Sequence, residues 1–319
     1  MPALDVVTVP DFTGPAAARF ELRTLLFLGA WLQHHGQSRA WPVHLACVGS
    51  PPTAVQRMAA RARARVTVHA PVDDRWPRAC NKLRGFEIAP DTGSILLLDT
   101  DTLVLQDLHA LADWLGHRIG LGPATFDPIP EAMWRRIFEI AALPYPDAPR
   151  AAWYYNSGVV IAPWASGLGA RWVTHLARLL AVTGDAFWRA SPRAVRFADQ
   201  YALATAVAET AAAGTPVATM PPRYHARPPL LDEGVVRWDD TALLHYPRLL
   251  EPYGETVTAL CAWLYGTRLA PWRQRLARAL GLRAVRAPIL RGHPPARAMW
   301  WRAFVHRIHE IVQEFGHLW

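Results

Sequence analysis

The sequence predicts an α/β domain with a largely parallel sheet, extended at its carboxyl end by a basic helical tail. Three observations carry this expectation. Short apolar or β-branched runs alternate with amphipathic segments along most of the chain. The stretch SILLLDTDTLVLQDL, Ser94 to Leu108, sets a continuous apolar run directly before two aspartates, as a strand buried on both faces would. From Arg268 onward there are ten arginines against two acids, Glu310 and Glu314, while the remainder is formally neutral.

The elements follow in order. DVVTVP, from Asp5 to Pro10, is β-branched and ends at proline, so it reads as a first strand. AARFELRTLLFLGAWLQHHG has helical spacing and closes at Gly36. Val43 to Gly49 is a second strand, AVQRMAARARA a helix, and Arg65 to Ala70 a third strand. NKLRGFEIA reads as a short helix leading into the strand before Asp99, and Arg118 to Ala124 as a further strand. WYYNSGVVIAPW, Trp153 to Trp164, places Asn-Ser-Gly before an apolar strand. GARWVTHLARLLAVTG is an amphipathic helix, RFADQYALATAVAE opens another, and TALLHYPRLLEPYG begins as a strand ending at His245. Pro288, Pro294 and Pro295 divide the tail into two helices. The second collects Trp301, Phe304, Ile308, Ile311 and Phe315 on one face.

Composition narrows the class. With 319 residues, 51% of them hydrophobic, the chain can bury a full core. Three cysteines at wide spacing form no disulfide framework and no zinc motif, which suits a reducing cytoplasm. The first residues lack a signal-peptide pattern, and LLFLGAWL is too short to span a bilayer. The expectation is a cytoplasmic protein, soluble or peripheral on the inner face of a membrane.

Two carboxylates at i and i+2 beyond a strand can point the same way, and they repel unless a cation or proton sits between them. Asp99, Asp101 and His245 each lie at or just past an expected strand end, where ligands bind in parallel α/β sheets. Two carboxylates and an imidazole suit Mn²⁺ or Mg²⁺ with positions left open, and are poor for structural zinc. Taken singly, Asp99-Thr-Asp101 is more often a solvated turn, and His245 a satisfied core or surface histidine. Lys82 is the only lysine in the chain; every other basic residue is arginine.

Two chemistries use Asp-x-Asp after an apolar strand. In haloacid dehalogenase-like phosphatases the first Asp is the nucleophile and a downstream lysine supports it. Here no lysine follows and the motif comes late, so that reading is the weaker. The segment from Asn81 to Leu111 instead resembles the donor site of GT-A glycosyltransferases, in particular glycosyltransferase family 8, the glycogenin-like and lipopolysaccharide galactosyltransferase-like enzymes. The resemblance continues through YYNSGVVIAPW and FADQYAL to HYPRLLEPY, over about residues 5–255.

That resemblance implies a GT-A, Rossmann-like nucleotide-sugar-binding fold over residues 1–262, with residues 263–319 as the basic tail. It implies that Asp99, Asp101 and His245 hold the metal on a donor diphosphate. Lys82 would contact the donor sugar or phosphate, with Arg84 assisting, and Asn156 and Ser157 would bond the sugar. Asp199 and Gln200 would lie on its far face, as in retaining enzymes, though an Asp at a helix start also suits an N-cap. Arg248 stands near the place of the family's diphosphate-binding lysine, and Glu251 and Tyr253 depart from its pattern. The expected reaction is transfer of a hexose from a UDP-sugar with retention; the rival from another class is a nucleotide-sugar-binding protein without turnover.

The tail has three readings: packing on the domain, lying on an anionic membrane, or binding nucleic acid. Arginines interleaved with Trp272, Trp300 and Trp301 favour the membrane, and with it a lipid-linked or membrane-borne acceptor.

Overall fold

The computed structural model describes residues 3–34, 36–124, 129–182, 194–227, 230, 234–237 and 240–245. In chain order the described strands are β1 (Asp5–Thr8), β2 (Val43–Val48), β3 (Arg65–His69), β4 (Ser94–Leu98), β5 (Thr102–Val104), β6 (Ile119–Pro123), β7 (Tyr155–Pro163), β8 (Val217–Thr219) and β9 (Leu243–His245). The described α-helices are α1 (Ala17–Gln33), α2 (Thr53–Ala62), α3 (His109–Leu115), α4 (Glu131–Ile140), α5 (Leu168–Ala181) and α6 (Ala198–Ala212).

Seven strands form one sheet in the order β3-β2-β1-β4-β7-β6-β8. All neighbours are parallel except at β7, which runs antiparallel to both β4 and β6. The expected parallel sheet is therefore present with one reversed strand. β5 and β9 form a separate antiparallel pair.

Strand alternation builds the core on both faces. In β4, Ile95 and Leu97 face one apolar cluster with Trp134 of α4, Leu176 of α5 and Tyr201 of α6. Leu96 and Leu98 face the other, with Phe27 and Trp31 of α1, Val55 of α2 and Leu111 of α3. All four β4 side chains are fully buried, and each such burial contributes about 1.5–3 kcal/mol. The strand that leads into Asp99 is thus held from both faces of the sheet.

Differences from the sequence reading have local causes. Asn156, Ser157 and Gly158 lie inside β7 rather than before it, because their backbone continues the ladder beyond the apolar run. The segment read as a short helix is a 3₁₀ helix over Arg78–Glu87. β5, β8, α3 and α4 were not anticipated, being short or flanked by prolines that obscure their periodicity. Residues 263–319, with the tail's two expected helices and the boundary at 262, lie outside the described residues.

Candidate active site

The site is assembled at the carboxyl end of β4. Alternation places Asp99 on the side of Leu97, toward the cluster that holds Cys80, Leu83 and α6. The 3₁₀ segment brings Lys82 to the same side, where it is almost wholly buried. Its Nζ lies 2.9 Å from the Asp99 carboxylate and 3.1 Å from Asp199 Oδ2, and donates to Ser157 Oγ at 3.0 Å. The only lysine of the chain thus bridges two acids far apart in sequence.

The reversal of β7 has a direct consequence. Because it runs against β4, its first residues, not its last, meet the end of β4, and Asp99 N–H donates to Gly158 O at 2.8 Å. That delivers Asn156 and Ser157 to the site. Ser157 Oγ donates to Asp199 Oδ2 at 2.6 Å, while Asn156 Nδ2 donates to Gln200 Oε1 at 3.0 Å. Gly158 N–H donates to Asn156 Oδ1 at 2.9 Å, which fixes the amide's orientation. Asp199 and Gln200 open α6, whose N-cap is Phe197. The Asp199 carboxylate therefore serves the site and does not cap its helix.

The β5–β9 pair brings in His245, which registers opposite Thr102. Its Nε2 stands 3.6 Å from Asp101 Oδ1 and 4.0 Å from Asp99 Oδ2. One ligand atom from each of Asp99, Asp101 and His245 falls within 4.8 Å of the others. Hard carboxylate oxygens with one imidazole fit Mn²⁺ or Mg²⁺. Gly158 makes room, since a Cβ there would collide with the His245 ring.

Charge is unevenly compensated. Burial disfavours the Lys82 ammonium, but Asp99 and Asp199 outweigh it and raise the pKa above the ordinary lysine value. Burial raises Asp99 despite Lys82, with Asp101 adding to the rise. Burial also acts on Asp101, yet Arg23 and His245 overcome it and hold that carboxyl well below the usual range.

Two contributors escaped the sequence reading. Arg23 of α1 places NH1 3.2 Å from Asp101 Oδ2. The available signal was a cation on the buried stripe of α1, one and two turns before Phe27 and Trp31. His225, buried beside Gly122, lies 3.1 Å from Asn156 Oδ1 and 3.3 Å from His245 Nδ1. Burial first, then His245 and Arg227, keeps it neutral. A lone histidine after Arg-Tyr carries no pattern that would single it out.

The structure does not bring every expected residue together. Arg84 donates to Ala70 O at 3.0 Å and Pro71 O at 2.8 Å and pairs with Glu87, away from the carboxylates. Arg248 lies outside the described residues.

Comparison with known proteins places the fold and the family. No curated protein matches the chain by sequence. Among solved structures, an active-site mutant of LgtC shares 17% identity, covering 85% of this chain and 99% of that one, at a TM-score of 0.55. The galactosyltransferase LgtC in complex with donor and acceptor sugar analogs shares 16% over the same coverage, at 0.51. The bifunctional glycosyltransferase WbbM, apo form, shares 12%, covering 87% of this chain and 51% of that one, at 0.55. These likenesses establish the GT-A fold. Residues 34–211, more than half of the chain, match the Rhodobacterales glycosyltransferase domain. The chain belongs to that glycosyltransferase family, on a GT-A fold resembling glycosyltransferase family 8.

Proposed function

We propose that the protein transfers a hexose from a UDP-sugar to an acceptor with retention, using a divalent cation held by Asp99, Asp101 and His245. The observation that supports this most is the convergence of four distant segments on one carboxylate cluster around Lys82. Mn²⁺ or Mg²⁺ there would supply Lewis-acid stabilisation of the departing nucleotide diphosphate. Lys82 supplies a compact ammonium beside the developing phosphate charge, held between Asp99 and Asp199. Asn156 and Ser157 present hydrogen-bonding groups to the sugar. Gln200, its Oε1 engaged by Asn156, is left with its NH₂ for the sugar's far face, beside Asp199. Arg248 completes the set as a secondary donor contact, while Arg84 braces the loop at Ala70 and Pro71.

Nucleotide sugars screened by thermal shift with and without Mn²⁺ identify the donor, and hydrolysis of that donor tests turnover. Binding without hydrolysis, and without transfer to any acceptor, would leave a nucleotide-sugar-binding protein in place of an enzyme. The anomeric configuration of the product, read by NMR, tests retention.

The acceptor reading rests on the tail's charge, ten arginines against two acids from Arg268 onward. An anionic membrane surface is the partner that composition fits, with a lipid-linked acceptor and a cytoplasmic, peripheral location; nucleic acid is not favoured. Among the described residues no helix is long and apolar enough to cross a membrane. Sedimentation with anionic vesicles at rising salt tests the surface contact, and equal binding by a chain cut near Leu264 refutes it.

A further inference from the structure

We propose that Arg23 is the resident counter-cation of the metal site, making the divalent cation and the nucleotide diphosphate bind as a unit. This rests on the reading of Asp99, Asp101 and His245 as metal ligands.

The site draws its two fixed cations from opposite faces of the sheet. Lys82 comes from the side of Cys80 and Leu83 and serves Asp99 and Asp199. Arg23 comes from α1, on the side of Phe27 and Trp31, and meets Asp101 alone. Both partners of the Arg23–Asp101 pair are close to nine-tenths buried, with side-chain exposures of 11% and 9%. The guanidinium reaches Asp101 Oδ2 through NH1 at 3.2 Å, while its Nε is buried with no hydrogen-bond partner among the described residues. A fork used at one prong, at the long end of the charge-assisted range, is a contact that another cation can displace.

Counting formal charge gives the consequence. Among the described residues, the formal charges of Asp99, Asp101 and Asp199 against those of Lys82 and Arg23 leave one negative unit in excess. A divalent cation reverses this to one unit positive, a state suited to an anionic diphosphate and unfavourable without it. With Arg23 removed, the loaded cluster would be neutral and the cation would bind without help. Arg23 therefore disfavours metal alone and favours metal with nucleotide, which is a coupling free energy between two ligands at one site. A purely geometric role, holding the Asp101 rotamer, predicts the reverse: losing Arg23 would weaken metal binding.

The test is Mn²⁺ binding to the full-length protein, followed by the EPR signal of free Mn²⁺, with and without UDP. In Arg23→Gln, Mn²⁺ alone is expected to bind at least roughly tenfold more tightly than in wild type, since one repelling charge is gone from a partly buried site. UDP should tighten Mn²⁺ binding strongly in wild type and much less in the variant. The rise in melting temperature on adding Mn²⁺ should be larger in the variant, whose Asp101 otherwise lacks a cation. Unchanged or weaker Mn²⁺ binding in Arg23→Gln overturns the inference while leaving the metal reading intact. If that variant does not fold, Arg23→Lys carries the test: its shorter reach draws the charge back, so Mn²⁺ should bind more tightly than in wild type, by a smaller factor. Equal or weaker binding there counts against the inference equally. Mn²⁺ binding that survives Asp101→Asn in the wild-type background removes the metal reading itself, and the role of Arg23 with it.

Discussion

At the amino end of the central sheet Asp5 is fully buried at the start of β1. Its Oδ1 lies 2.7 Å from His44 Nε2, and its Oδ2 accepts from Thr92 N–H at 2.9 Å and Thr92 Oγ at 2.7 Å. At the carboxyl end Asp99, Asp101 and Asp199 share two cations, and Lys82 divides itself between two of them. The first arrangement matches each oxygen with its own partners and ties β1, β2 and the turn before β4 together. The second leaves negative charge in excess where one ligand atom from each of Asp99, Asp101 and His245 falls within 4.8 Å of the others. Buried carboxylates at the two ends of one sheet thus differ in how completely they are paired, the first suited to stability and the second to the proposed chemistry.

Removing Lys82 should break the comparison most severely. Lys82→Met strands Asp99 and Asp199 without a cation, and losing one partner of a buried pair costs about 3–5 kcal/mol. Sugar transfer should fall below detection, and chemical denaturation should show the stability loss in the same protein. Lys82→Arg sharpens the point: charge and fold are kept, but a planar fork does not reproduce an ammonium meeting Asp99, Asp199 and Ser157 at once. Transfer should drop with little change in denaturation midpoint. Wild-type kinetics in Lys82→Arg would show that the ammonium's shape is irrelevant.

Gly158→Ala is expected next in size. The added Cβ would collide with His245 Cε1 and press on Nε2, so the imidazole must move. Shifting a ligand through its support typically costs roughly 10- to 100-fold in metal affinity. A Mn²⁺ titration reads this, and an unchanged affinity would mean that His245 is not a ligand.

The residues of the candidate site were more legible in the sequence than their surroundings, for physical reasons. Asp99 and Asp101 stand out because a fully buried strand ends at them, and Lys82 because no other lysine exists. The reversal of β7 was hidden, since an apolar run reads alike in both directions. Arg84 was expected beside Lys82, but a 3₁₀ helix has three residues per turn. Two positions on, the side chain leaves toward Ala70 and Pro71. Arg23 is separated from Asp101 by the whole of β2, β3 and β4 and is one arginine among many. Its pairing depends on how α1 sits against β5, which no local pattern encodes.

The smallest effect belongs to the amino end, and its sign follows from linkage. Burial raises the Asp5 pKa, but the bonds from Thr92 and His44 outweigh it, so the folded value lies below the ordinary one. A group depressed in this way adds stability above its unfolded pKa, roughly 4, and loses that contribution as pH falls through the folded value. Asp5→Asn keeps the shape but weakens the acceptors, and should cost about 1–3 kcal/mol at pH 7. Denaturant titrations of both proteins from pH 7 to pH 3 should show the gap narrowing below roughly pH 4, because Asp5 of the unfolded chain then takes up a proton that the folded carboxylate still excludes. Mn²⁺ affinity and transfer rate at pH 7 should remain those of wild type, since the substitution touches only the far end of the sheet. A gap constant with pH would mean that the Asp5 charge contributes nothing to the clamp. A change in metal affinity would mean that the two ends are coupled through β1 and β4, against the separation drawn between them.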